Sequence, residues 1–190
     1  MKLLNKDVTL FQRISFLKGV LGLAFILVVI GTGLFLYNPF EKARLARDQQ
    51  RIRDLDNLKI AIDTYLKNNH QEKIEMCAGC RLEKTVFATG EVGFEGSFVP
   101  KVSAGSAVNI TGWIPIDFSL NAKIGETPIK KLALDAVNMA PYVYTYTPGK
   151  AGSYKLSAAL ESAQNDGLEK DDGGIRDDRY EVGTNLTLPP

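Results

Sequence analysis

The order of apolar and polar positions divides the chain into three regimes. Residues 19–37 include no charged residue, and most of them are Leu, Val, Ile, Phe or Ala. Nineteen helical residues at ~1.5 Å each span ~28 Å, close to the ~30 Å hydrocarbon thickness of a bilayer. A soluble core helix of that length would show a polar face; this one shows none, so the pattern predicts a transmembrane helix. Beyond it Leu45, Ile52, Leu55, Leu58, Ile62 and Leu66 recur at steps of seven, three, three, four and four. That is one face of a helix, with Asp48, Arg53, Asp56, Lys59, Asp63 and Lys67 on the remaining surface. Asp63 and Lys67 have the i,i+4 spacing of a weak ion pair, and Asn68 and Asn69 read as C-terminal cap residues. Pro39 marks either a kink in one helix of about fifty residues or a junction between two helices.

In the third regime the period shortens. Residues 85–88 and 97–102 read as short strands punctuated by Gly90, Gly93, Gly96 and Gly105. Residues 112–118, with Trp113, Ile114, Pro115 and Ile116, form an apolar segment whose proline argues for an edge or a loop. Tyr142, Tyr144 and Tyr146 alternate with Val143, Thr145 and Thr147. After Pro148, Gly149 and Gly152, Tyr154, Leu156, Ala158 and Leu160 alternate with Lys155, Ser157 and Glu161. This predicts a β-hairpin of an antiparallel sheet with one buried face, and Tyr180 and Val182 predict a third strand. The sheet and the helical stripe each need a partner, so the expected fold is α+β: a long N-terminal helix, transmembrane then amphipathic, packed on a small antiparallel sheet. The expected boundaries are a leader or tail at 1–18, a transmembrane helix at 19–38, an amphipathic helix at 39–69 and the globular remainder at 70–190.

Two features bear on topology. The apolar run exceeds the length of a signal-peptide core, and Asn38, Pro39, Phe40, Glu41 and Lys42 after it lack the small residues of a cleavage site, so the anchor is expected to stay. Lys2, Lys6, Arg13 and Lys18 on one flank balance Lys42, Arg44, Arg47, Arg51 and Arg53 on the other, and the positive-inside rule gives no orientation.

Charge and chemistry narrow the functional classes. A net charge of +1 provides no basic field for nucleic acid. The tyrosine stripe therefore reads as sheet packing rather than a stacking platform. His70 is the single histidine, and no Ser–His–Asp arrangement accompanies it. Asn109-Ile110-Thr111 and Asn185-Leu186-Thr187 match the glycosylation triplet, without an assigned role. The chain is expected to carry no enzymatic machinery. Cys77 and Cys80, the only thiols, form a C-x-x-C pair. Outside the cytoplasm such a pair closes as a short structural disulfide. The other readings are free thiols, a redox pair, or a zinc site completed by His70, Glu72, Glu75 or Glu83. Asp166, Asp171, Asp172, Asp177 and Asp178 gather around Gly167, Gly173 and Gly174. They read as a solvated turn or as oxygen ligands for calcium, from Asp171, Asp172, Asp177 and Asp178.

Several segments, taken in order, resemble the type IV pilin and type II secretion pseudopilin superfamily. Lys18-Gly19 before the apolar run is similar to a prepilin processing junction, with cleavage between Gly19 and Val20. Ala46-Arg47-Asp48, Arg51, Asp54-Leu55 and Ala61-Ile62 resemble the pseudopilin helix. Gly112-Trp113-Ile114-Pro115, Leu134-Asp135-Ala136-Val137-Asn138, the tyrosine strand, Leu160-Glu161-Ser162 and Tyr180-Glu181-Val182-Gly183-Thr184-Asn185 resemble landmarks of the globular domain. The resemblance implies a structural subunit of a pilus- or secretion-type filament. Its partners would be copies of itself or other pilin-like subunits through the N-terminal helix, the membrane, and a prepilin peptidase. It also implies an extracytoplasmic C-terminal domain, and raises the expectation of calcium in the acidic loop. One position departs: the fifth residue after the junction is Ala24, where most of the superfamily carries a glutamate that pairs with a neighbour's amino terminus. That departure points to a minor subunit or to an uncleaved anchor. The alternatives are an anchored extracytoplasmic binding domain that does not polymerise, and a membrane-tethered thiol oxidoreductase.

Overall fold

A computed structural model describes residues 4–69, 76–77, 79–93, 95–119 and 129–189, excepting the side chains of 4–15 and 34–37. His70, Glu72 and Glu75 lie outside the described residues. The chain divides into two compact units, Met1–Ala43 and Arg44–Pro190.

In the first unit, helix α1 runs Leu4–Tyr37. Its stretch Phe16–Gly33 is long and apolar enough to cross a membrane, and none of it is buried within the protein. Gly19, Val20 and Ala24 are exposed on it. With every backbone bond satisfied inside the helix, such a segment is stable in lipid, consistent with a single-pass anchor. The helix ends at Asn38, whose φ of 36° breaks the repeat. Asn38 then caps the next helix, α2 (Pro39–Asn68), accepting the Glu41 amide at 3.2 Å, with Pro39 at the first helical position. Two helices, not one kinked helix, occupy the stretch.

The second unit is built on a five-stranded sheet: β1 Thr85–Ala88, β2 Val99–Val102, β3 Thr145–Pro148, β4 Tyr154–Ala158 and β5 Tyr180–Gly183, in the order β2-β1-β3-β4-β5. β3 and β4 form the hairpin, with Tyr146 opposite Leu156, and β5 adds antiparallel to β4. The expected purely antiparallel sheet is corrected at one edge, where β1 and β2 pair in parallel, Val86 opposite Pro100. A parallel neighbour needs a crossover rather than a tight turn, and ten residues separate the two strands.

The inner face of the sheet packs on α2. Leu55, Leu58, Ile62 and Tyr65 of the helix join Phe87, Tyr144, Tyr146, Tyr154 and Leu156 of the strand segments. Burying each large apolar side chain stabilises the fold by ~1.5–3 kcal/mol. The irregular segment carrying Trp113, Ile114, Ile116 and Phe118 closes the core, with the Trp113 indole donating to the Ala133 carbonyl at 2.9 Å. Tyrosine hydroxyls would be costly in such a core without partners. Tyr144 donates to Asp54 of α2 at 2.8 Å, Tyr154 to Asp63 at 2.6 Å, and Tyr146 to the Met76 carbonyl at 3.1 Å. Asp63 pairs with Lys59 at 2.8 Å, in place of the Lys67 pairing that its spacing suggested. The α2 C-terminus is capped by the Asn69 side chain, which donates to the Tyr65 carbonyl.

The other face departs from the expected alternation of buried and solvated positions. Thr145, Thr147, Lys155, Ser157 and Glu181 are also buried. The chain end crosses this face: Thr147 donates to the Pro189 carbonyl, and Leu188 is buried. Lys155 and Glu181 meet at 2.6 Å, side chains 1% and 0% exposed. Burial lowers the Lys155 pKa, and the Glu181 carboxylate works against that loss. Arg179, also buried, donates to Ser157 Oγ and to the Val143, Pro141 and Ser157 carbonyls; removal from water brings its pKa down to about 10.

Candidate functional site

Cys77 and Cys80 are joined in a disulfide at the entrance to β1. Gly79, with φ +64°, makes the tight reversal between them, a conformation that side chains with a Cβ disfavour. Thr85 fastens the exit, its hydroxyl accepting the Arg81 amide while its amide donates to the Arg81 carbonyl. Cys77 is buried against the core, whereas Cys80 is half-buried. Attack on a disulfide takes the sulfur that an incoming thiolate can reach, and Cys80 is the more exposed residue of the pair. This corrects the expectation of a chain without enzymatic machinery. A C-x-x-C pair closed as a disulfide, with Cys80 half-buried, is consistent with a thiol-based catalytic motif. Sulfurs bonded to one another are not zinc ligands, and Glu83 is engaged with Lys150 at 2.7 Å.

A second constellation lies where α2 meets two loops. Arg51, 1% exposed, donates from Nε to Asp135 at 2.5 Å and from Nη1 to Asp48 at 2.9 Å; Nη2 lies 2.7 Å from Glu161. Its guanidinium also stacks 4.7 Å from the centre of the Tyr142 ring. Burial opposes the Arg51 charge, but the bonds from Asp135 and Glu161 outweigh it and raise its pKa. Glu161 is shared with Arg47, whose Nε approaches to 2.7 Å. That bond, acting against burial and joined by Arg51, holds the Glu161 carboxyl down to about 2. The carboxylates also organise backbone. Asp48 accepts the Glu161 and Ser162 amides and the Asn165 side chain; Asp135 accepts the Val137 and Asn138 amides. Every group in this buried network has a partner, as stability requires.

In the acidic loop the carboxylates of Asp172 and Asp178 are engaged by backbone amides and by an arginine. Asp172 accepts the Gly174 amide at 2.7 Å and the Glu181 amide at 2.6 Å. Asp178 pairs with Arg176, which lowers its pKa despite partial burial. Asp171 and Asp177 are exposed. Among the described residues no group of three or more His, Cys, Asp or Glu is placed to hold a metal ion. Beside this loop a groove of about 550 Å³ runs along β5, walled by Lys59 of α2, by Leu168 of the short helix α3 (Asp166–Lys170), and by Asp171, Asp172 and Leu186.

Comparison of the chain with protein-family models, curated proteins and solved structures finds no match. Two elements of the site are not marked by the apolar periodicity. Asp48, expected on the outer surface of α2, is buried, and the groove joins residues far apart in the chain. The first had a signal: Asp48, Arg51, Leu55, Leu58, Ile62 and Tyr65 are spaced as one helical stripe. The second had none.

Proposed function

We propose that this chain is a single-pass membrane-anchored protein whose domain at 44–190 stands outside the cytoplasm and works as a binding module. The observation that carries the reading is the Cys77–Cys80 disulfide in a chain with one unburied apolar helix. Disulfides persist in oxidising compartments and are rare in the cytosol. The groove beside β5 supports the binding role. The test is protease treatment of intact cells expressing the full chain. Loss of an epitope at the C-terminus, with the membrane unbroken, is the expected result; a protected epitope sinks the reading.

The partial exposure of Cys80 favours a second activity in the same compartment. An incoming thiolate bonds to Cys80 Sγ, the S–S bond breaks, and Cys77 leaves as a thiolate that takes a proton; a second partner thiol then resolves the mixed disulfide. Exchange with a model dithiol, abolished by Cys80→Ser, tests it. A pilin-like filament subunit is supported by the convergence of the segments that carry the resemblance: Arg47, Asp48 and Arg51 meet Asp135, Glu161 and Ser162. Processing by a prepilin peptidase between Gly19 and Val20, and packing on like subunits, belong to that reading. The mass of the mature N-terminus distinguishes it from an uncleaved anchor.

A further inference from the structure

The two edges of the sheet are treated unequally. At β2, the Val99 and Ser103 amides donate to Lys84 and Ala88 of the β1 side. Pro100, between them in the alternation, therefore stands where an N–H would face outward, and Lys101 adds a charge to the same edge. Proline and lysine are the usual protection of an edge strand. At β5 neither is present. The Thr184 amide donates to the Tyr154 carbonyl, so the backbone groups of Tyr180, Val182 and Thr184 point toward β4. Those of Glu181 and Gly183 point the other way. The Glu181 amide confirms this, since it donates to the Asp172 carboxylate beyond the edge. The Glu181 carbonyl and the Gly183 N–H and carbonyl then face the groove, about 550 Å³ in volume.

The groove suits an added strand. Its walls are apolar at Val182, Leu186 and Leu168, the last 45% exposed. Side chains of an extended segment alternate, so one set would rest on these residues while the backbone bonds to β5. Charge fixes the chemistry further. Lys59 on one wall is neutralised by Asp63 at 2.8 Å. Lys155 neutralises Glu181 beneath the strand. The rim carboxylates of Asp171 and Asp172 leave the groove acidic.

We propose that the β5 edge binds an extended segment of another polypeptide as a sixth strand, with a lysine or arginine of that segment beside Asp171. The inference deepens the binding-module reading and rests on it. Main-chain hydrogen bonds would give affinity and the acidic rim would select the basic residue.

The test uses the full chain in detergent micelles and a fluorescent peptide of alternating valine and threonine with one central lysine. Anisotropy titration is expected to show saturable binding. N-methylation of the peptide amides that face β5 should weaken it by about tenfold, the loss of one or two backbone bonds. Asp171→Lys, an exposed change with no effect expected on the Trp113 fluorescence of the fold, should weaken it by about threefold. Asp171→Lys should also favour a peptide with glutamate in place of lysine. Three outcomes overturn the proposal: no binding at millimolar peptide, equal binding of the N-methylated peptide, or self-association of the full chain that occupies the edge. Protease accessibility on cells reports on the binding-module reading separately. A domain found outside the cytoplasm with no peptide binding sinks this inference alone.

Discussion

Replacing Arg51 by methionine would remove a cation that touches three carboxylates at once. The side chains of Asp48, Asp135 and Glu161 are 0%, 2% and 7% exposed, and Arg51 bridges all of them. Methionine keeps much of the volume, so the effect is electrostatic rather than a cavity. Arg47 still reaches Glu161, leaving Asp48 and Asp135 as the uncompensated pair. Taking one partner from a buried ion pair costs about 3–5 kcal/mol. For a unit of this size that corresponds to a fall of roughly 10 °C in melting midpoint. Trp113 is the only tryptophan of the chain and is buried in the same unit, so its fluorescence reports that unit's unfolding directly. Urea and thermal melts of the full chain in micelles measure the loss. The double variant Arg51→Met/Asp135→Asn should recover part of it, because the second change removes a charge that the first left stranded. A cost below about 1 kcal/mol for Arg51→Met, typical of a surface pair, would refute the argument that this network holds α2 to its loops.

Other perturbations have defined outcomes. Glu161 has a depressed folded pKa of about 2, so its contribution is present above the ordinary carboxylate range and is lost as pH falls through about 2; in Arg47→Met the acid loss should begin at higher pH, as a pH series of melts would reveal. Reduction of Cys77–Cys80 should lower stability by about 2 kcal/mol, small because the loop is short. Full reduction with a dithiol followed by brief alkylation should label Cys80 before the buried Cys77, and the reverse order, read by peptide mass spectrometry, would contradict the assigned accessibility. Asp172→Ala should destabilise by about 1–3 kcal/mol, since two amides lose their acceptor. The loss should be the same in calcium and in chelator, and a midpoint that rises with calcium would show a cation in that loop.

The sequence carried the core well where one physical demand dominated. A helical stripe ending in asparagines and a tyrosine–threonine alternation correspond to α2 and β3, because each period follows from which face is buried, while the uninterrupted apolar run of α1 has no period because no face of it meets the rest of the protein. The parallel β1–β2 pairing was not legible: strand direction is set by the path of the connection, and the pattern of residues 97–102 is the same in either direction. The second buried face was hidden for a different reason. Lys155, Ser157 and Glu181 are polar, and polarity in a strand ordinarily means solvent. They are buried because other segments meet them, Leu186 at Lys155, the 175–176 backbone at Glu181 and Arg179 at Ser157, a fact of tertiary structure that alternation does not encode.

The Arg51 network shows where such hidden polar burial does leave a trace. Asp48 and Arg51 extend the α2 stripe of Leu55, Leu58, Ile62 and Tyr65 by two further turns, in register. A helix packed on a domain keeps the same face inward along its length, so charges in register with an apolar stripe are inside unless the helix leaves its support. Buried charges must be paired. The pair Asp48–Arg51 at i,i+3 is not balanced, because one guanidinium has donors for more than one carboxylate. Further acceptors are therefore required from elsewhere in the fold, and here they are Asp135 and Glu161, each followed by amides that its own or a neighbouring carboxylate accepts. A stripe position occupied by arginine is thus a statement about distant loops: it calls for acceptors, and the loops that provide them are held in place by meeting that demand.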